Sequence, residues 1–290
     1  MIPPRFDCMR ARTPEEAVSA LAQSDNAKLL AGGQSFLPIL RLRLAYPDLV
    51  VDLGRTAGMW GIRDEGDKLV IGAMTTHYEV MTSHLVRRHC GLLAKATSTV
   101  ADPQVRHRGT LGGALSHADP AGDLPAVALA FGTTMVVTGP DGQREVPASE
   151  FFADYLQTAL GPAEVLVEVR VPKLGGGDGW GYRYEKFQRV AQSWAIVGVA
   201  ALIRRSGDVI DEARLGLVNM GATPLRATAA EEALAGARAD AGAVADAAAL
   251  AAERTSPPSD LSGQADYRRH LARTLTQSAV LAAAGIQTAS

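Results

Sequence analysis

Two glycine pairs occupy matched settings in this chain. Ala31-Gly32-Gly33-Gln34-Ser35 follows an apolar run, and Thr110-Leu111-Gly112-Gly113 follows a polar one. Adjacent glycines let consecutive backbone N–H groups turn toward an anion, and they let a phosphate approach without meeting a Cβ. Two such loops in one domain suit the two phosphates of a dinucleotide. Neither pair has the GxGxxG or GxxxxGK(S/T) spacing, so the usual NAD and ATP fingerprints are absent. The combination points to a flavin dinucleotide held by an uncommon fold. Taken singly, each pair reads equally well as a tight turn between a strand and a loop.

The elements around the first pair bear on that fold. Thr13-Pro14-Glu15-Glu16 supplies an N-cap, a first-position proline and two carboxylates for a first turn, and Ala17, Val18, Ala20 and Leu21 continue a helix. Asp25-Asn26 ends it, and residues 28–31 read as a buried strand entering the glycine loop. A Rossmann unit runs strand, loop, helix, whereas this order is helix, strand, loop. Strands are expected at 49–53 and 68–72, and helices at 76–86, 91–100 and 124–131. A hairpin is expected at 133–138 and 143–147 around Gly139-Pro140-Asp141-Gly142, with a further strand at 165–171.

Pro172 to Gly179, rich in glycine, is the best linker candidate. Beyond it, residues 181–188, 195–204 and 210–218 read as three strands. Helices are expected at 227–235, 241–254 and 265–284. The fold class expected is α+β, with a three-stranded antiparallel sheet and helices in the C-terminal unit.

Composition narrows the function. The chain has 290 residues, of which 47% are hydrophobic, enough for a sizeable core in two compact units. Lys plus Arg number 29 against 31 for Asp plus Glu. That balance gives no reason to expect nucleic acid or an anionic membrane as partner. No segment is long and apolar enough to span a bilayer, and residues 1–5 lack a leader-like apolar run, so a cytoplasmic location is expected. With only Cys8 and Cys90 and no CxxC, the chain has too few thiolates for an iron–sulfur cluster of its own. Redox chemistry here must come from an organic cofactor or a partner.

Several side chains carry candidate chemistry, each beside a plainer reading. Ser35 and Thr110 offer hydroxyls to phosphate oxygens. Asp123 suits a ribose hydroxyl, or else caps the helix that follows it. Arg106-His107-Arg108 either supports a phosphate or is a solvated turn. His84, His89 and Cys90 have a spacing that points them in different directions on a helix, so no metal site is expected.

Five stretches in order resemble one known family: Ala31-Gly32-Gly33-Gln34-Ser35, Ile71-Gly72-Ala73, Ala101-Asp102-Pro103-Gln104-Val105-Arg106, Gly109-Thr110-Leu111-Gly112-Gly113 and Tyr184-Glu185-Lys186. They look like the FAD-binding medium subunit of molybdenum hydroxylases, the family of xanthine dehydrogenase, carbon monoxide dehydrogenase and bacterial N-heterocycle dehydrogenases. The resemblance runs from Pro4 to about Leu275. It implies a two-lobed FAD-binding domain of the PCMH type over residues 1–174, with lobes at about 1–54 and 55–174, and a second domain over 175–290.

By the same resemblance, Leu30, Ala31, Gly32, Gly33, Gln34, Ser35 and Phe36 line the pyrophosphate and one flavin edge. Ala101, Thr110, Gly113, Ala114 and Asp123 meet the adenosine half and the other phosphate oxygens. Leu166 borders a ring, Lys186 lies near the isoalloxazine, and Trp194 sits beside it. From the sequence alone, Lys186 reads as a surface ion pair with Glu185 or another carboxylate, and Trp194 as core. Ala114 and His107 depart from the family, which often has asparagine at both positions. Leu115 to Pro120 looks more like the heterocycle-oxidising branches than the carbon monoxide branch.

The implied role is electron transfer. Substrate would be oxidised at a molybdenum cofactor on a large partner, and electrons would pass through [2Fe-2S] clusters on a small partner to FAD here, then to an external acceptor. A dimer of heterotrimers is the assembly the family suggests. A stand-alone flavoprotein oxidoreductase and a flavin-free scaffold are the other two readings.

Overall fold

Residue patterning gives three larger sheets with different burial and one two-stranded ribbon. The structure, a computed structural model, describes residues 2–174 and 179–287; residues 175–178 of the expected linker lie outside the described residues.

The first lobe contains β1 (Asp7–Arg10), α1 (Pro14–Ala22), β2 (Ala27–Leu30), α2 (Phe36–Arg41) and β3 (Leu49–Asp52). Thr13 accepts the Glu16 N–H at 3.3 Å, and Glu16 in return accepts the Arg12 N–H at 2.7 Å, so α1 begins where the sequence places it. Its Ala17, Val18, Ala20 and Leu21 are buried. The strands form a parallel sheet in the order β1-β3-β2. The glycine loop is followed by the six-residue α2, which the sequence reading missed because Pro38 lies inside it. Locally the order is therefore strand, loop, helix, although the small three-stranded sheet is no doubly wound fold.

The second lobe begins with β4 (Ile62–Glu65) and β5 (Lys68–Gly72), followed by α3 (His77–Thr82), α4 (His84–His89), α5 (Gly91–Thr97) and α6 (Pro103–Arg106). Next come α7 (Leu111–His117), α8 (Asp123–Phe131), β6 (Thr134–Gly139), β7 (Gly142–Pro147) and α9 (Ala148–Phe151). A two-stranded ribbon, β8 (Phe152–Asp154) and β9 (Gln157–Thr158), leads to β10 (Val165–Pro172). The five-stranded antiparallel sheet has the order β4-β5-β10-β6-β7, which makes the last strand central. The helix expected over 76–86 is broken in two at Ser83, whose hydroxyl accepts the Val86 N–H and starts α4 afresh. The N-terminal end of the first half is closed by a reciprocal cap between Thr76 and Glu79.

The C-terminal sheet contains β11 (Trp180–Phe187), β12 (Val197–Ser206), β13 (Val209–Val218) and the two-residue β14 (Leu225–Arg226). It has four strands rather than the expected three, because Leu225–Arg226 adds a short edge to β13. Helices α10 (Thr228–Leu234), α11 (Ala241–Ala249) and α12 (Ala265–Ala284) cover one face.

Strand β12 shows how the units join. Val197, Val199, Ala201 and Ile203 pack among the C-terminal helices, while Ala200 and Leu202 belong to the same core as the N-terminal lobes. A strand buried on both faces reads as a continuous apolar run, as this one does. Helix α8 is buried on nearly all sides and fills the layer between the two antiparallel sheets. At Gly216 of β13, an added Cβ would lie 2.2 Å from the Ala126 carbonyl oxygen of α8. Among the described residues, no helix is long and apolar enough to cross a membrane.

Gly216→Ala must therefore separate β13 from α8 and is expected to destabilise the chain by about 1–3 kcal/mol. Chemical denaturation against the parent chain measures this, and an unchanged midpoint would refute the close contact.

Candidate functional site

Both lobes and the start of the C-terminal unit contribute to one cavity of about 570 Å³. It collects Ala31, Gly32, Gly33, Gln34, Ser35 and Phe36 from the first lobe and Ala101, Thr110, Gly113, Ala114, Asp123 and Leu166 from the second. Lys186 and Trp194 complete the set from the C-terminal unit. Of the cofactor-lining residues that the family resemblance implies, Leu30, the last residue of β2, is the one not on its wall.

The two glycine pairs do different work. After β2 the chain turns through Gly33 at φ +76°, and Ser35 heads α2 without using its hydroxyl as a cap. Among the described residues, no protein acceptor takes the N–H groups of Gly32, Gly33, Gln34, Ser35 or Phe36. Consecutive unpaired N–H groups around a left-handed residue form a concavity suited to an anion.

The second pair offers no such array. The Gly112 N–H donates to the Ala73 carbonyl at 2.8 Å, and the Gly113 N–H to the Thr110 hydroxyl at 3.1 Å. Its glycines are needed for packing instead: a Cβ on Gly112 would fall 2.5 Å from that of Ala73. What the sequence reads as a second phosphate loop is the first turn of α7, capped by Thr110. The Thr110 hydroxyl keeps its proton free to donate.

Gly32 also meets a packing constraint that its motif does not announce. A Cβ there would point at the Arg108 carbonyl oxygen, 2.2 Å away, and at Gly109 Cα, 2.7 Å away. The residue is glycine because the two loops touch backbone to backbone. Arg106 turns its guanidinium to the Val100 and Ala101 carbonyls, at 2.7 and 3.0 Å, and His107 stacks on Tyr78. None of Arg106, His107 and Arg108 lies on the cavity wall. Ala101 adopts φ +40°, a conformation few non-glycine residues take, and Asp102 beside it caps α6.

Asp123 is neither a cap nor free for a ribose. It is the first residue of α8, after the N-cap Gly122. Its carboxylate accepts from the Tyr184 hydroxyl and from Lys186 Nζ at 2.9 Å. Lys186 also donates to the Thr99 carbonyl at 3.2 Å. The side chains of Lys186 and Asp123 are 6% and 4% exposed, so this is a buried ion pair and not a surface one. Burial holds the Asp123 carboxyl above the ordinary carboxylate range, opposed by the Lys186 ammonium and the Tyr184 hydroxyl. The partner is thus another carboxylate than Glu185, which pairs with Arg183. Trp194 is 56% exposed at the cavity wall, which excludes the core reading.

Other wall residues escaped the sequence reading. His77, His117, Asp119 and Gln192 sit in no glycine motif and meet only on folding. His117 Nε2 lies 4.0 Å from Asp119 Oδ2. Among the described residues, no group of three or more His, Cys, Asp or Glu is placed to hold a metal.

Known proteins fit this arrangement. The sequence model of the FAD binding domain in molybdopterin dehydrogenase matches residues 4–174. The chain belongs to that family. A second model, of the CO dehydrogenase flavoprotein C-terminal domain, matches residues 182–283. The carbon monoxide dehydrogenase medium chain of Hydrogenophaga pseudoflava is 42% identical over 98% of both chains. The caffeine dehydrogenase subunit beta of a Pseudomonas species is 36% identical over 98% of this chain and 96% of the relative. Among solved structures, a chain of quinoline 2-oxidoreductase from Pseudomonas putida superposes with a TM-score of 0.94. It is 34% identical and matches over 98% of this chain and 99% of that one. The resemblance to the medium subunits of molybdenum hydroxylases thus holds along almost the whole chain.

Two variants probe the site without any ligand. Lys186→Met leaves a buried carboxylate without its cation and is expected to destabilise the chain by about 3–5 kcal/mol. Adding Asp123→Leu to it should recover part of that loss, so that the double variant is more stable than the sum of the singles predicts; strict additivity in denaturant melts would refute the coupling. Gly32→Ala is expected to lower stability by about 1–3 kcal/mol by forcing the loops apart, and an unchanged melting midpoint would refute that contact.

Proposed function

We propose that this chain is the FAD-carrying electron-transfer subunit of a molybdenum hydroxylase. The observation that carries this reading is the run of unpaired N–H groups from Gly32 to Phe36 on the wall of a cavity that also receives Lys186 and Trp194. Those N–H groups would hold the anionic bridge of the dinucleotide, and the Ser35 and Thr110 hydroxyls would add donors. Leu166 and Ala114 supply apolar wall for a ring, and Trp194 would cover the ring's open side. When bound, FAD supplies the ability to take up electrons singly and release them singly or in pairs.

Lys186 would orient the flavin as a fixed N–H donor. With Asp123 opposite, the pair carries little net charge, so its effect on the flavin's potential is weaker than that of a lone cation. Asp123, engaged by two partners, is not available as an acid or base toward a substrate. The chain therefore binds, orients and shields, and substrate chemistry would take place at a molybdenum cofactor on a large partner. Electrons would arrive through [2Fe-2S] clusters on a small partner, within the cytoplasm, in a dimer of heterotrimers. Residues 1–174 would form the FAD-binding unit, with lobes at about 1–54 and 55–174, and residues 175–290 the second unit.

The relatives are named for carbon monoxide, caffeine and quinoline, yet align with this chain over nearly its full length. Such unlike molecules on one scaffold support a substrate pocket elsewhere than in this subunit. Our reading of the substrate is an N-heterocycle or related small molecule, with carbon monoxide as the alternative.

His117 and Asp119, at 4.0 Å on the cavity wall, favour a second reading: a stand-alone flavoprotein oxidoreductase. An absorption spectrum of the purified chain, with the released chromophore identified by chromatography, tests both. Stoichiometric FAD without turnover of an N-heterocycle by the chain alone is the expected result. Turnover by the isolated chain would favour the second reading, and failure to take up added FAD would overturn both.

A further inference from the structure

His77 is the first residue of α3 and is 4% exposed, yet it lies on the cavity wall. Its Nδ1 is buried without a hydrogen-bond partner among the described residues. A buried polar atom without a partner is uncommon in a folded chain, which sets this ring apart from an ordinary core side chain. The backbone N–H is already used, donating to the Gly109 carbonyl at 2.9 Å. Burial and the nearby Arg106 guanidinium push the imidazole's pKa down to about 4, which keeps the ring neutral near pH 7. A neutral imidazole carries one N–H. With Nδ1 sealed, the favourable place for that proton is Nε2.

The position of Nε2 follows from Gly109. A Cβ on that residue would come 2.8 Å from His77 Cδ2 and 3.0 Å from Nε2, so this ring edge packs directly on Gly109. The other side of Gly109 meets Gly32, at the head of the unpaired N–H run. The ring edge is thus one residue's thickness from the anion-binding loop. On the facing wall, the N–H groups of Gly109, Gly112 and Gly113 are taken by protein acceptors. The donors left on that wall include the Thr110 N–H and hydroxyl, the Ala101 N–H, the Ser116 hydroxyl and His77, of which His77 is the one packed against the seam between the two loops.

We propose that His77 is a cofactor-positioning residue that donates its Nε2–H to an oxygen of the dinucleotide's diphosphate bridge, on the side opposite the Gly32–Phe36 N–H groups. This rests on the FAD reading above. It explains why a histidine occupies a buried helix start where the glycine pair of α7 has no N–H groups to offer.

The test compares FAD binding to the apo-chain by quenching of flavin fluorescence, for the parent, His77→Phe and His77→Gln. Phenylalanine keeps a ring against Gly109 but has no donor, and glutamine restores an N–H. A hydrogen bond to a charged oxygen predicts that His77→Phe weakens FAD binding about 10- to 100-fold, with the apo-chain's melting temperature no lower than the parent's. His77→Gln should recover binding to within about threefold of the parent. In 15N-histidine NMR spectra, adding FAD should shift Nε2 of His77 in the parent chain.

Equal affinity of His77→Phe and the parent would overturn the inference. So would equal losses in both variants, or an unmoved Nε2 resonance. A parent chain that binds no FAD would overturn the FAD reading instead, and the two failures are thereby distinct.

Discussion

The contact of Gly32 with the backbone of Arg108 and Gly109 is the constraint on which the site depends. It joins the parallel sheet of the first lobe to the helical layer of the second at a distance no side chain permits. The cavity opens beside this seam because the loop that makes the contact also turns its N–H groups outward. One glycine pair therefore does two jobs, loop apposition at Gly32 and a left-handed turn at Gly33. The other pair serves helix packing against Ala73. Similar sequence patterns have come to satisfy different physical needs.

A second seam ties the C-terminal unit to the same cavity. Asp123 at the head of α8 receives Tyr184 and Lys186 from β11, and the three side chains are buried. Buried charges are tolerable only when paired and hydrogen-bonded, so this network fixes the register between helix and strand as well as filling the wall. The residues after β11 are positioned by related means. Asn219 donates to the Ala195 carbonyl at 2.9 Å, and the buried Arg268 donates to that of Ile196 at 2.5 Å while gripping Asp260. Trp194 is thereby held at the cavity wall by groups distant from it in sequence.

Local signals were legible where local physics decides. Thr13-Pro14 starts α1, the Gly139 to Gly142 turn closes its hairpin, and the alternation of β10 marks a strand with one face less buried. The long apolar runs of α8 and β12 announce burial, although not which layer they fill. Three features were missed: α2 across Pro38, the edge strand at Leu225, and the division at Ser83. The first two are short segments held by neighbours rather than by their own propensity, and the third is a serine cap inside a longer helical pattern.

The same division applies to the site. The residue types and their order along the chain determined the family and the flavin class of cofactor, and they picked out many of the positions that meet at the cavity. Tertiary structure decided how each one acts. Only the folded chain shows that Lys186 is matched by Asp123, that the second glycine pair has no N–H groups to give, and that His77 stands behind Gly109. These are properties of distances between residues far apart in sequence, and spacing along the chain carries no record of them.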